Sequence, residues 1–372
     1  MPNANKTKAP KKQRLFPIYL YVLWGILLLS IAVYVAALNS TEFADFYSRY
    51  PGAFVRAVLA HLTNLLPISL TELIIILLPS IVAVSILYIV RRCHPTKRST
   101  LVFCVSLVTC ASMFFSSFVL GFGCGYHGST LDVKMRLDKK DVAPKELELT
   151  SRWLADAVSR EAANVEFEEK SFSVMPYSLS QMNSKLLSAY DKVCEEYQFI
   201  QKLTSRVKPV MLSEAMSYTH ITGVYTYFTG EANLNVNFPD YTLPFTAAHE
   251  LAHQRGIARE DEANFVAFLV CINSDDPYIR YSGYLNMFEY VAPKLSAQKD
   301  VYNEVFKSLP NTVKYELIAY SEFFDRYRDS VAGEVSESVN NSYLQMQGTV
   351  GTKSYGMVVD LTVAYYKAKI SD

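Results

Sequence analysis

Three long apolar stretches near the N-terminus constrain the fold of this chain more than any other feature of its sequence. They cover residues 15–38, 65–90 and 101–122. A helix of about twenty apolar residues crosses the hydrocarbon core of a bilayer. A buried helix in a soluble protein is the alternative for any one stretch, but three in succession favour a membrane. We therefore predict a three-helix transmembrane region over residues 15–122, in a multi-pass protein of the cell membrane.

The basic residues that flank these stretches predict how the region is oriented. Residues 1–14 contain five lysines and arginines, and residues 91–98 contain four more. Cytoplasmic segments of membrane proteins carry an excess of such residues. We therefore expect residues 1–14 to form a basic cytoplasmic tail. Residues 123–372 should then form an extracytoplasmic domain, and they are numerous enough for one sizeable domain.

Composition narrows the range of partners and of site types. Half of the residues are hydrophobic and the formal net charge is zero, so nothing indicates a nucleic acid partner. The expected partners are the lipid bilayer and a peptide or protein substrate. The six cysteines contain no C-x-x-C pair, which argues against a cysteine-rich zinc site. Whether Cys194 and Cys271 form a disulfide stays open at this point.

The segment 246–256 contains the sequence His-Glu-Leu-Ala-His. His249 and His253 are four residues apart, so on a helix they project from one face and can bind one tetrahedral metal ion. Glu250 lies between them and is placed to act as a general base, as in H-E-x-x-H zinc enzymes. The alternative is a surface helix that carries two histidines by chance. Since the chain has only 6 histidines, we favour a zinc site.

A catalytic zinc ion normally has three protein ligands and one water, so a third ligand is needed. Arg259 occupies the place of the third histidine in the longer metzincin pattern and cannot bind a metal. Glu260, at the start of the next apolar run, is the predicted third ligand, and Glu262 is the alternative. Asn264 follows one turn later and is predicted to orient a ligating histidine. The alternative is that Glu260 binds no metal and only stabilises the helix, because a negative charge at the N-terminus interacts favourably with the helix dipole.

These segments resemble known sequence families. The segment Glu260-Asp-Glu-Ala-Asn264 resembles the E-x-x-A-D/N pattern that supplies the third zinc ligand in membrane-bound gluzincin peptidases. The sequence HELAHQRG, together with Thr229–Asn233 upstream, is similar to an uncharacterised family of bacterial multi-pass membrane proteins that are zinc-protease-like. This resemblance extends over most of the chain and implies a zinc metallopeptidase. The gap between His253 and Glu260 is shorter than in ordinary gluzincins.

A change of hydrophobic period precedes the histidine motif. Within residues 223–238, apolar residues alternate with Asn233, Asn235 and Asn237, which predicts a half-buried strand. The gluzincin resemblance implies an edge strand here that pairs with an extended peptide substrate. Asn233 and Asn235 are therefore candidate substrate-binding residues, and Glu231 is a further candidate. A purely structural strand is the alternative.

A tyrosine near the C-terminus is a candidate hydrogen-bond donor to the oxyanion that forms when a peptide bond is hydrolysed. Tyr355 lies in a Ser-Tyr-Gly sequence just before the apolar run 357–364. Zinc peptidases use a tyrosine or histidine to stabilise the oxyanion. Tyr355 is therefore the candidate, and His220 is the second choice. Because the chain has 26 tyrosines, a packed aromatic side chain is the alternative for any one of them.

Together these features predict a mainly α-helical protein with a small β-sheet. Its N-terminal three-helix transmembrane region would be followed by a zincin-like α+β domain over residues 123–372. The expected function is that of a membrane-anchored zinc-dependent metallopeptidase, with a zinc-activated water and Glu250 as general base. The alternative is a non-proteolytic zinc-binding membrane sensor or assembly factor, in which Glu262 or His220 supplies a fourth ligand and closes the site.

Overall fold

The computed structural model of the protein describes residues 16–92 and 97–371. The expected basic tail, residues 1–14, lies outside the described residues. The described chain is mainly helical and contains one small sheet of three strands. The predicted fold class is therefore confirmed at the level of many helices, a small sheet and three apolar helices near the N-terminus.

The helices and strands follow one another along the chain in a simple order. The helices up to Gly121 are α1 (Ile18–Asn39), α2 (Thr41–Arg49), α3 (Pro51–Asn64), α4 (Leu70–Arg92) and α5 (Lys97–Gly121). Those that follow are α6 (Leu131–Met135), α7 (Pro144–Ala162), α8 (Leu179–Glu196), α9 (Ser213–Ser217), α10 (Thr242–Gln254), α11 (Glu260–Ile272), α12 (Pro277–Val291), α13 (Lys299–Ser308), α14 (Asn311–Asp325), α15 (Val331–Met346) and α16 (Val358–Ser371). The strands are β1 (Lys208–Pro209), β2 (Gly223–Thr226) and β3 (Glu231–Leu234). Short 3-10 helices cover Gly123–His127, Ala292–Ala297 and Gly351–Met357.

Helices α1, α4 and α5 each contain a segment long and apolar enough to cross a membrane. Most of their side chains are exposed, which would be costly in water and suits contact with lipid. The second apolar helix, α4, begins at Leu70 and not near residue 65 as predicted. Ser69 caps it, since the Ser69 hydroxyl accepts a hydrogen bond from the Glu72 backbone N–H at 3.0 Å. Hydropathy alone could not show this start.

The connection between α1 and α4 is formed by the helix pair α2 and α3. Arg56 on α3 joins this pair to the end of α5, because its guanidinium donates to the carbonyls of Ser48 and Gly121. The glycine-rich segment after Gly121 also has a regular structure. It forms a 3-10 helix in which Cys124 is 1% exposed.

The three strands pair in the order β1-β3-β2, with β3 parallel to β1 and antiparallel to β2. The predicted half-buried edge strand is therefore wrong: β3 is central, short and buried throughout. The chain leaves the sheet after Leu234 because the Asn235 side chain accepts a hydrogen bond from the Asn237 backbone N–H at 3.1 Å. Such local bonds of asparagine compete with strand pairing. The edge strand nearest the histidine motif is β2.

The sheet also holds the start of the second apolar helix. The carboxylate of Glu231 on β3 accepts hydrogen bonds from the backbone N–H groups of Leu70 and Thr71, at 3.0 and 2.9 Å. Lys208 on β1 donates to Glu231 at 2.7 Å. Burial raises the pKa of Glu231, but the Lys208 ammonium and the hydrogen bonds outweigh it and lower the pKa overall. Glu231 is thus a structural residue and not the substrate contact that we considered.

Helices α10 and α11 form the centre of the domain. All residues of α10 are buried, and α10 packs between the sheet, α11 and α12. Helix α11 is buried except at its last residue and contacts α12, α8 and α16. The histidine motif and the predicted third ligand therefore lie on two adjacent core helices. Cys194 and Cys271 are both buried and free, so they form no disulfide here.

Candidate metal centre

The end of helix α10 is built by backbone hydrogen bonds that fix the position of His253. Gly256 has φ +93°, and its N–H bonds to the His253 carbonyl at 2.9 Å. The Ile257 N–H bonds to the Ala252 carbonyl at 3.1 Å. This is a Schellman ending, which favours glycine at the left-handed position. It turns the Ile257 carbonyl back toward the His253 ring.

Three side-chain donor atoms converge between α10 and α11. His249 Nε2 lies 3.0 Å from His253 Nε2. Glu260 Oε2 lies 3.2 Å from His249 Nε2 and 3.3 Å from His253 Nε2. The neighbouring ligands of a tetrahedral zinc ion with bonds of about 2.0–2.1 Å are about 3.3 Å apart. The three atoms therefore have spacings that suit one small divalent cation.

The hydrogen bonds around these atoms also suit a cation. The His253 Nδ1–H donates to the Ile257 carbonyl at 2.7 Å, which leaves a lone pair on Nε2 of the neutral ring. Apart from the two imidazoles, no described residue offers Glu260 Oε2 a hydrogen bond. Two imidazole nitrogens and a carboxylate oxygen form a typical zinc donor set. The residues present therefore fit zinc.

Without a metal, a shared proton would hold this cluster together. Burial lowers the pKa of His253, but the Glu260 carboxylate outweighs burial and raises it to about 9. Burial raises the pKa of Glu260, and the two histidines outweigh it and lower that pKa strongly. The metal-free centre is thus a histidine–glutamate ion pair near neutral pH. Metal binding must displace the proton on His253.

Glu250 lies beside the cluster, against the edge strand β2. A Cβ added at Gly223 would come within 2.6 Å of Glu250 Oε1, so the carboxylate rests directly on the glycine backbone. Burial raises the pKa of Glu250 to about 6, while His249, His253 and the Tyr225 backbone N–H oppose this rise. A carboxyl group with such a pKa can exchange protons near neutral pH, as a general base requires.

Of the other predicted residues on α11, Glu262 is hydrogen-bonded to groups outside the cluster. Glu262 Oε1 accepts hydrogen bonds from the Leu131 N–H at 2.8 Å and from Arg259 Nη1 at 3.1 Å. The geometry therefore singles out Glu260 as the carboxylate that can share a cation with the histidines. Asn264 is buried, and no described hydrogen bond joins its Nδ2 to a histidine, although we expected it to orient one.

The candidate substrate residues on and after β3 are buried and hydrogen-bonded within the protein. Asn233 Nδ2 donates to the Val224 carbonyl at 3.3 Å. Asn235 Nδ2 donates to the Ser217 hydroxyl and the Ile221 carbonyl, both at 3.0 Å. These bonds join β3 to β2 and to the chain before it. In this structure both asparagines support the strand that faces Glu250.

The Glu260 carboxylate raises the pKa of four buried tyrosines, Tyr126, Tyr290, Tyr343 and Tyr355. Burial raises the pKa of Tyr355 well above its usual value, and the charges of Glu260 and Glu250 raise it further. Tyr126 and Tyr343 share this effect of Glu260, and their hydroxyl oxygens are 3.4 Å apart. No sequence pattern connects these two with the motif. His220 bonds to the Tyr327 carbonyl at 2.7 Å and takes no part in the cluster.

Comparison with known proteins places the chain in a family without assigning an activity. No curated protein and no solved structure matches it. Residues 47–363 match the family described as "Protein of unknown function (DUF3810)". This agrees with the resemblance to an uncharacterised family. Because the match covers most of the chain, the protein belongs to the DUF3810 family.

Proposed function

We propose that the protein is a zinc-dependent metallopeptidase of the cell membrane. The observation that carries this proposal is the convergence of His249 Nε2, His253 Nε2 and Glu260 Oε2 to within 3.3 Å of one another, with Glu250 beside them. Within the described residues, no fourth histidine, cysteine or acid joins this group. A coordination position is therefore left for water and substrate, as in catalytic zinc sites.

His249, His253 and Glu260 would hold the ion. A zinc ion bound there would supply a Lewis acid that acidifies water and polarises the scissile carbonyl. Glu250 would accept the proton of the attacking water and deliver it to the leaving amine. Its carboxylate is held in place by the Gly223 backbone and the Tyr225 N–H, so it would act from a fixed position.

The substrate would bind as an extended peptide along β2. The Thr222 carbonyl accepts a hydrogen bond from the Asn235 N–H on the neighbouring strand. Hydrogen-bonded and non-hydrogen-bonded pairs alternate along antiparallel strands, so the backbone N–H and C=O groups of Gly223 and Tyr225 point away from β3. These two residues lie beside Glu250, which already interacts with the Tyr225 N–H, so the backbone groups of Gly223 would be the ones offered to a peptide. Addition of a peptide strand to this edge would bring a peptide bond to the metal centre. The sheet, α10 and α11 together would form a zincin-like α+β domain.

Tyr355 would donate a hydrogen bond to the oxyanion that forms at the scissile carbonyl. Its raised pKa keeps the phenol protonated at neutral pH, which a donor requires. The Asn340 side-chain amide approaches the Tyr355 hydroxyl at 3.4 Å and limits its orientation. Tyr126 and Tyr343 are the next donors to consider, because they too lie within the range of Glu260.

The membrane arrangement belongs to the same proposal. Helices α1, α4 and α5 would cross the bilayer, with residues 1–14 and the basic connection between α4 and α5 in the cytoplasm. The metal centre would then face the extracytoplasmic space. Proteolysis of intact and of opened vesicles, followed by detection of an N-terminal tag and a tag after residue 372, distinguishes this orientation from its inverse.

The decisive experiment compares the wild-type protein with Glu250→Gln. We expect both to contain one zinc ion per chain by elemental analysis. Wild-type protein should cleave members of a peptide library, whereas Glu250→Gln should lose cleavage by roughly a hundredfold or more, the contribution of a general base. Unchanged cleavage by the variant would remove Glu250 from this role.

Burial of the centre favours a second candidate, a zinc-binding sensor or assembly factor without peptidase activity. His249, His253 and Glu260 are 9%, 6% and 8% exposed, so access to the centre is narrow in this conformation. A metal ion that stabilises the fold or takes part in ligand sensing needs less access to solvent than a catalytic one, so the burial is compatible with this role. Zinc in both proteins, with no cleavage by either, would support this second function.

A further inference from the structure

A cavity of about 520 Å³ lies between the α2–α3 connection and the end of α10. Its lining includes the side chains of Arg56 and Arg255, each 2% exposed. A cavity of this volume is typical of small-molecule sites. Two buried guanidinium groups at one cavity raise the question of what balances their charge.

Arg56 has only neutral partners among the residues that the structure describes. Its Nε donates to Gln201 Oε1 at 3.2 Å, and its Nη1 and Nη2 donate to the carbonyls of Gly121 and Ser48 at 2.9 and 2.8 Å. These bonds orient the guanidinium but supply no negative charge. Burial of a charge without a counter-charge is costly.

Arg255 likewise has only neutral hydrogen-bond partners among the described residues, although the more distant Asp191 carboxylate partly opposes the lowering of its pKa by burial. It donates to the carbonyls of Leu251 and Leu203 at 3.1 and 2.8 Å, and its guanidinium carbon lies 3.9 Å from the centre of the Tyr190 ring. Its buried Nε has no hydrogen-bond partner within residues 16–92 and 97–371. Arg255 is therefore a nearly fully buried cation at the cavity with an unused donor.

The surroundings place Arg56 against the chain neighbour of Arg255, and the charged residues of the lining leave the cavity positive. A Cβ on Gly256, the neighbour of Arg255, would come within 2.5 Å of Arg56 Nη2. The carboxylates in the lining are Asp45, which pairs with Lys134 at 2.9 Å, and Glu195. The remaining charged lining residues are the cations Arg49 and Lys202, and Lys202 pairs with Asp191 outside the lining.

We propose that this cavity binds the phosphate group of a small phosphorylated ligand, with Arg56 and Arg255 as its counter-charges. A guanidinium matches the geometry of phosphate oxygens, and two of them suit an anion that carries more than one charge. Apolar side chains of the lining, such as Phe199, Ile200 and Ile257, can contact the organic part of the ligand.

The phosphate could come from a soluble molecule or from a lipid headgroup. Arg56 bonds to the carbonyl of Gly121, the last residue of the apolar helix α5, so the cavity lies near one end of the candidate spans. The lining also includes Ile257, whose carbonyl accepts the bond from His253 Nδ1. A ligand in the cavity would therefore contact the turn that positions one metal ligand. The binding itself does not depend on peptidase activity.

The test uses inorganic phosphate as the minimal probe and full-length protein in detergent, with and without zinc. At constant ionic strength, phosphate should raise the unfolding temperature of wild-type protein in a saturable way, and chloride should not. Protein in vesicles of phosphatidylglycerol or phosphatidylcholine then identifies the source. A higher unfolding temperature in phosphatidylglycerol, with no further effect of phosphate, indicates a lipid headgroup. An equal phosphate effect in both vesicles indicates a soluble ligand.

Two variants link the binding to this cavity. Gln201→Glu places an internal carboxylate beside Arg56, changes one atom and keeps both arginines, so it should fold and weaken phosphate binding by roughly tenfold or more. Arg255→Gln should weaken binding to a similar degree. Arg280→Gln is the control, because Arg280 already pairs with Glu161 at 2.9 Å, and it should bind phosphate normally. No saturable stabilisation by phosphate or phosphatidylglycerol, or equal binding by Gln201→Glu, overturns the proposal.

Discussion

The carboxylate of Glu250 rests on the backbone of Gly223, where a Cβ atom would come within 2.6 Å of Glu250 Oε1 and 2.7 Å of its Cγ. A glycine at this position of β2 is therefore required by the proposed general base and not by the strand itself. Any larger residue must move either the edge strand or the carboxylate. This contact connects the packing of β2 with the chemistry proposed for the centre.

We expect Gly223→Ala to lower kcat for peptide cleavage by about a hundredfold, because the base would be displaced from its working position. Zinc content should stay at one ion per chain, since the atoms nearest to a Cβ at position 223 all belong to Glu250 and not to a ligand. Kinetics on a cleaved library peptide, together with elemental analysis, check both parts. Gly25→Ala is the control, because no atom lies within 4 Å of a Cβ at that position. Wild-type kinetics in Gly223→Ala would contradict the assigned contact.

Glu260 and Glu262 offer a matched pair for the third ligand. Glu260→Gln should lose zinc, or bind it at least about tenfold more weakly, because an amide is a poorer zinc ligand than a carboxylate. Glu262→Gln should keep zinc, because Glu262 faces Leu131 and Arg259. Elemental analysis after dialysis against a chelator of graded strength measures the difference. Equal zinc loss in the two variants would show that the cluster is assigned incorrectly.

Local spacing explains why much of the candidate centre could be found in the sequence. Residues 249 and 253 share a face on any helix, and Glu260 begins the next helix after a turn that Gly256 permits. Hydropathy is also local, so the three apolar helices were predicted to within a few residues except for the start of the second. These features depend on neighbours along the chain.

The features that the sequence did not reveal depend on contacts between distant segments. The central position of β3 follows from pairing with β1, which lies before β2 in the chain and is only two residues long. Tyr126 and Tyr343 meet although 217 residues separate them. Arg56 and Gln201 also pair across 145 residues. The hydrophobic periodicity of one segment carries no information on contacts with residues that are distant in the sequence.

Tyr355→Phe removes only the hydroxyl group that would stabilise the oxyanion. We expect kcat to fall by about ten- to a thousandfold with little change in KM, because the hydrogen bond would form mainly in the transition state. Steady-state kinetics separate the two parameters. Tyr365→Phe, at a tyrosine that packs on Phe265, is the control and should retain activity. A rise in KM at constant kcat would instead indicate a contact with the bound substrate.

The metal-free protein should lose stability as pH rises from about 6.5 to 9. The pKa of His253 is raised to about 9 in the folded protein from the ordinary 6.5, so its ion pair with Glu260 contributes fully below pH 6.5. This contribution disappears as pH passes 9. Unfolding temperatures of wild-type and Glu260→Gln protein, both with chelator, should therefore converge over this range. Other groups whose pKa lies in this range, such as Glu289, should affect both proteins equally and so cancel in the difference between the two unfolding temperatures. A constant difference across the range would contradict the ion pair.

The buried pair Lys208–Glu231 should contribute strongly to the attachment of α4 to the sheet. Lys208→Met leaves the Glu231 carboxylate buried without its cation, and we expect a loss of about 3–5 kcal/mol in unfolding free energy. The double variant Lys208→Met/Glu231→Gln should lose less than the two single variants together, because it leaves no unpaired charge. Denaturant unfolding in detergent measures the three values.

Lys202→Met provides the matched control for this prediction. Lys202 pairs with Asp191 at 3.0 Å, but both side chains are at least half exposed, and such a surface pair contributes about 0–1 kcal/mol. The Glu231 carboxylate also accepts hydrogen bonds from the backbone N–H groups of Leu70 and Thr71, so a carboxylate that has lost its cation should hold the start of α4 less firmly. Hydrogen exchange at those two amides should rise in Lys208→Met and not in Lys202→Met. Equal stability losses in the two lysine variants would show that burial does not strengthen the Lys208–Glu231 pair.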